Sequence, residues 1–123
     1  MTIALWCVLV AGLLPYFAVA IAKATPGYNN ADPRNLPVDT AAFRKRAHGA
    51  HLNSFEAFPL FAVSVLVAIL AHAPQARLDA LALAFVLARL VYIGVYIANR
   101  PTLRSTVWVV GFACTLGIFL SAL

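Results

Sequence analysis

The chain has 123 residues, of which 63% are hydrophobic and 11% charged, and it carries a formal net charge of +5. Soluble domains run at roughly 25% charged and about 45–50% apolar residues, so a soluble globule, a disordered segment, a collagen-like chain and a disulfide scaffold are all excluded. What remains is one small integral membrane domain occupying 1–123, multi-pass and all-α.

A spanning helix needs about 20 largely apolar residues. The first segment of that kind covers 3–22. No Lys or Arg precedes its apolar run, so it reads as a retained helix despite the Ala18-Val19-Ala20 sequence that resembles a leader cleavage site. The connection that follows holds Pro26, Gly27, Asn29, Asn30, Pro33 and Pro37, which forbid a regular helix. Asp39 or Thr40 is the expected N-cap of the next helix, which starts near 40 with a polar run and spans the membrane over 55–72. A short link around Ala73-Pro74 leads to a third span at 78–98. Asn99-Arg100-Pro101-Thr102 leads to a fourth at 105–123. Lipid leaves unpaired backbone groups no water to bond, so each span must be helical. Short links imply antiparallel neighbours in a four-helix transmembrane bundle.

The basic residues are distributed unevenly. Lys23, Arg34, Arg44, Lys45, Arg46, Arg100 and Arg104 flank the first and third connections, whereas the second holds only Arg77. Positive residues stay on the cytoplasmic side, which predicts both termini outside and an inner-membrane location. The same distribution explains the positive charge without nucleic acid. Cys7 and Cys114 lie inside apolar runs without a C-x-x-C pattern and read as small buried hydrophobes.

Three polar residues fall at membrane depth, where they are costly and usually functional: Asn53, Glu56 and Arg89. On a helix, Arg46, Asn53 and Glu56 lie within about 80° of one another, and Arg89, Tyr92, Tyr96, Asn99 and Arg100 share a stripe about 100° wide. The two stripes predict a polar cleft open to the cytoplasmic end. Its cationic and hydroxylic lining with one carboxylate suits a small anion that also carries an ammonium group. His48 and His51 are spaced i, i+3 but no carboxylate follows at ligand spacing, so no metal is expected. Trp6 and Trp108 read as interface anchors and Pro15 and Pro59 as kinks.

Arg46-Ala47, followed by Asn53-x-x-Glu56-x-Phe58-Pro59-Leu60-Phe61, resembles the second-helix signature of the MAPEG family, the membrane-associated proteins of eicosanoid and glutathione metabolism. Ala88-Arg89-Leu90-Val91-Tyr92 with Tyr96, and Arg100-Pro101-Thr102-Leu103-Arg104-Ser105, are similar to that family's later helices. The resemblance covers the whole chain and lies closer to the bacterial branch than to the eicosanoid enzymes. It implies a MAPEG-like homotrimer that binds glutathione as cosubstrate between protomers. Arg46, Asn53, Glu56, Arg89, Tyr92, Tyr96 and Arg100 would bind the peptide, with Arg89 paired to Glu56. Arg104 would stabilise the glutathione thiolate as the catalytic residue. Where eicosanoid members carry a second arginine this chain has Gly49, and where they often carry tyrosine it has Ala57.

Three functions follow. The first is a glutathione transferase or peroxidase acting on a lipophilic small molecule supplied by the bilayer. The second is a non-catalytic membrane scaffold of the same fold. The third is a small proton-coupled exporter using Glu56.

Overall fold

The computed structural model describes all residues 1–123. Four helices follow in order: α1 Ile3–Lys23, α2 Ala42–Leu70, α3 Gln75–Ile97 and α4 Pro101–Leu120. Each is long and apolar enough to cross a membrane. The bundle is all-α, and the helix boundaries lie within a few residues of the predicted spans except at α4. That helix begins at Pro101, four residues before the predicted start at 105. Proline is favoured in a first helical turn because its missing N–H is one the helix leaves unpaired anyway.

The two short links share one construction. α2 and α3 each end in a residue with left-handed backbone, His72 (φ 57) and Asn99 (φ 59). His72 N–H donates to the Ile69 carbonyl and Ala73 N–H to that of Ala68, both at 3.0 Å; Asn99 N–H donates to Tyr96 and Arg100 N–H to Val95 at 3.1 and 3.0 Å. These are Schellman closures, which satisfy the carbonyls stranded at a helix end. Pro74 and Pro101 follow directly and prevent the finished helix from continuing. The long connection carries no helix. Its turns are held by side chains: Asn29 Oδ1 accepts from the Ala31 amide at 2.9 Å, and Asn35 Nδ2 donates to the Asp32 carboxylate. The expected side-chain cap of α2 does not form. Ala41 occupies the cap position, and Thr40 is buried with its hydroxyl unpartnered.

α2 and α3 form the centre. α1 packs against both, α4 packs against both, and α1 and α4 do not touch. On α1, the buried residues Ala4, Cys7, Ala11, Leu14 and Ala18 recur at alternating intervals of three and four. This seam of small side chains lets the helix backbone approach its neighbours closely. The core lies toward the end of the bundle that carries the termini. There Phe61 of α2 stacks on Phe85 of α3 with ring centroids 3.8 Å apart. α4 is fastened to α3 through small residues. Gly111 faces Ala88 and Phe85, and Gly117 faces Leu81. At the other end, polar side chains of α2, α3 and α4 gather around a cleft.

One residue absent from the sequence reading closes the terminal end. Asp79, in the first part of α3, accepts from the Ala4 amide at 2.8 Å and from Gln75 Nε2 at the same distance. With Thr2 Oγ1 accepting from Leu5, two of the amides stranded at the start of α1 gain partners.

Candidate functional site

The polar residues of α2 lie one helical turn apart. Asn53 and Glu56, at i and i+3, face the same gap, and Asn53 Nδ2 donates to Glu56 Oε2 at 3.2 Å. From α3, Arg89 enters the bundle and is only 4% exposed. Its Nη2 donates to Asn53 Oδ1 at 3.0 Å and to Ser54 Oγ at 3.2 Å. Ser54 can accept because its own proton goes to the Ala50 carbonyl. The expected Glu56–Arg89 ion pair is therefore replaced by a relay. Asn53 has both a donor and an acceptor, so it bonds the guanidinium with its oxygen and the carboxylate with its nitrogen. Glu56 is an exposed residue of the protomer and lines the cleft.

The relay continues along α3 toward the end away from the termini. The Arg89 guanidinium lies over the Tyr92 ring at 4.1 Å. Tyr92 meets Tyr96 edge to face at 5.7 Å, and Tyr96 carries the Arg104 guanidinium over its ring at 4.6 Å. Cation–π contacts of this kind hold an arginine in place without consuming its N–H donors. Arg104 sits in the first turn of α4, so the positive end of the helix dipole adds to its charge.

Tyr96 takes this position because residue 49 has no side chain. A Cβ at Gly49 would collide with the Tyr96 hydroxyl and crowd its ring. The absence of a second arginine on α2 thus has a structural counterpart: the tyrosine occupies the space such a side chain would need.

Asn53, Glu56, Tyr92, Tyr96 and Arg104 together line a cleft of about 500 Å³. Three other predicted site residues do not line it: Arg89, which borders the smaller adjoining cavity, Arg46 and Arg100. Arg46 donates from Nε to the Ile97 carbonyl at 2.9 Å and so secures the last turn of α3. Arg100 lies with Asn99, Pro101 and Thr102 around a separate shallow depression. Helical phase placed Arg46 beside Asn53, but its long side chain finds the stranded carbonyls at the end of the neighbouring helix. Conversely, Ser105 and Trp108 of α4 line the cleft. Trp108 lies about two turns inside α4 rather than at its end, stacks on Phe112 at 5.3 Å and forms a cleft wall. Its spacing from Arg104, i to i+4, was the available signal.

No three His, Cys, Asp or Glu side chains converge as a metal site would need. His51 Nδ1 is 2.9 Å from the Pro15 carbonyl, joining α2 to α1.

Against known proteins, the family model described as the MAPEG family matches residues 3–123. Neither a curated protein nor a solved structure matches the chain. The match covers essentially the whole sequence, and the chain belongs to the MAPEG family.

Proposed function

We propose that this MAPEG-family membrane protein binds glutathione in the α2–α3–α4 cleft and either conjugates it to lipophilic electrophiles, as a transferase, or reduces them at the expense of two glutathiones that leave as the disulfide, as a peroxidase. The observation that carries the reading is the meeting of Asn53, Glu56, Tyr92, Tyr96 and Arg104 around one cleft. The peptide has two carboxylates, an ammonium group and a thiol. Glu56 offers the ammonium its one nearby anion, and Asn53 and the tyrosine hydroxyls offer hydrogen bonds. Arg104 supplies the chemistry. A free cysteine thiol titrates near about 8.5 and is mostly protonated at neutral pH. A guanidinium beside it, reinforced by the helix dipole, favours the nucleophilic thiolate.

The remaining assignments support the same picture. By the positive-inside rule, the basic first and third connections support a cleft mouth on the cytoplasmic side of an inner membrane, where glutathione is available, with both termini on the opposite side. The bilayer supplies the apolar partner. In the protomer Glu56 is exposed; a homotrimer would cover it, because a charged group at membrane depth needs protein or water around it.

The test is titration of the detergent-solubilised protein with reduced glutathione while following thiolate absorbance in the ultraviolet. Saturable thiolate formation that disappears in Arg104→Ala is expected. Absence of binding at millimolar glutathione would overturn the reading and leave the scaffold role, for which Arg104→Ala changes nothing.

A further inference from the structure

Outside the cleft, α1, the long connection and α2 border a half-open polar cavity. Lys23 comes from α1, Asp32 and Arg34 from the connection, and His48 and His51 from α2. Tyr16 borders it as well. The same tyrosine ends an apolar groove between α1 and α2, lined by Leu5, Leu9, Leu13, Phe55 and Phe58. We infer that cavity and groove together hold one anionic phospholipid, with its phosphate among the basic side chains and an acyl chain along the groove.

Charge is the first support. Arg44, Lys45 and Arg46, near the start of α2, are each bonded to a backbone carbonyl, those of Ile21, Val38 and Ile97. Lys23 and Arg34 donate to no protein acceptor, and the Lys23 ammonium only overlies the Tyr28 ring at 5.5 Å. Both keep their donors for a ligand. Asp32, the one carboxylate in the lining, is engaged by Asn35 Nδ2 at 3.0 and 2.9 Å. His51 Nδ1 donates to the Pro15 carbonyl, which can only accept, so Nε2 is the ring nitrogen left over. Two permanent cations against one anion give the lining a net positive charge. That balance suits a phosphate diester with no ammonium of its own.

The order of the parts is the second. Tyr16 lies about 10 Å further along α1 from Lys23, at a rise of about 1.5 Å per residue, and the groove then follows α1 to Leu5 for about 16 Å. That is close to half of the roughly 30 Å hydrocarbon layer, the reach of one leaflet's chains. A phospholipid has the same two parts in the same sequence. Tyrosine, at the junction, is the kind of side chain that settles where headgroups meet hydrocarbon.

The site lies outside the cleft, so it stands or falls independently of glutathione binding. The detergent-solubilised protein is given equal amounts of dioleoyl phosphatidylglycerol and dioleoyl phosphatidylcholine, and bound lipid is counted by native mass spectrometry. Phosphatidylglycerol should be retained about fivefold or more over phosphatidylcholine, the preference that one net cation near a headgroup confers. Lys23→Gln combined with Arg34→Gln should abolish that preference. Leu9→Trp, which fills the groove from an exposed position, should weaken retention of both lipids several-fold. Excess glycerol 3-phosphate, which has the phosphate without the chains, should displace neither. Equal retention of the two lipids overturns the inference, and so does a preference that survives the double variant. Displacement by glycerol 3-phosphate would make this a site for small soluble anions and overturns it too. If a second copy of the chain fills this face instead, neither the double variant nor Leu9→Trp changes lipid retention, and the inference falls.

Discussion

Replacing Asn53 with alanine is the sharpest probe of the relay. Arg89 is 4% exposed, and its Nη2 holds two acceptors, Asn53 at 3.0 Å and Ser54 at 3.2 Å. Removing the first leaves a deeply placed cation with one protein acceptor in place of two. Hydrogen bonds to charged groups are worth about 1.5–3 kcal/mol, and that is the loss expected for Asn53→Ala. Glu56→Gln should behave differently. Its carboxylate is exposed, receives one proton from Asn53 at 3.2 Å, and is not bonded to Arg89. A glutamine oxygen can still accept that proton, so the change should cost only the difference between a charged and a neutral acceptor, about 1 kcal/mol. The double variant should match Asn53→Ala alone. Equilibrium unfolding in mixed micelles, driven by denaturing detergent and followed by circular dichroism, measures all three at one protein concentration. A direct Glu56–Arg89 pair would instead make Glu56→Gln cost about 3–5 kcal/mol. A loss from Glu56→Gln equal to or above that from Asn53→Ala would refute the relay.

Asp79→Ala should destabilise the fold by about 0.5–2 kcal/mol, the usual cost of a lost helix cap. Asp79→Asn should retain most of that stability, and faster hydrogen exchange at the Ala4 amide locates the effect. Gly49→Leu should displace Tyr96 and with it the ring beneath Arg104. Thiolate absorbance at saturating glutathione should then fall several-fold, with unchanged helicity by circular dichroism. Arg46→Gln should lower stability by about 1–2 kcal/mol, through the lost bond to Ile97, and shift glutathione affinity little by calorimetry. Amine crosslinking in native membranes should give a trimer as the largest species, and monomer alone would contradict the proposed assembly.

The four helices were legible because burial in lipid imposes the simplest of patterns, a long apolar run between turn residues. The i, i+3 relation of Asn53 and Glu56 was equally legible, since helical phase places short side chains reliably. Long side chains escape that logic. Arg46 shares the phase of Asn53 yet reaches the Ile97 carbonyl, and Arg100 belongs to the turn rather than the cleft. The Glu56–Arg89 pairing failed for a related reason. Charges suggest each other by sign, but the geometry favoured an amide that could serve both. Tyr96 against Gly49 could not be anticipated from either residue, because it depends on how closely α2 and α3 approach. Pro101 was read as a break, although proline is equally at home in the first turn of a helix.

The bond from the Ala4 amide to Asp79 spans 75 positions, and this constrains the order in which the protein can be built. During synthesis α1 enters the bilayer first, and α2 can pair with it as soon as it emerges. The opening turn of α1 must wait for α3, which alone carries the acceptor. The α1 seam also buries residues against α3, so α1 stays partly unpacked until roughly two thirds of the chain has been made. Insertion is therefore sequential while closure is not: the third helix completes the first, and α4 then docks onto a pair already in place. Nascent chains halted before α3 should leave α1 accessible to lipid-side crosslinkers along Ala4, Cys7 and Ala11, and chains halted after α3 should protect it.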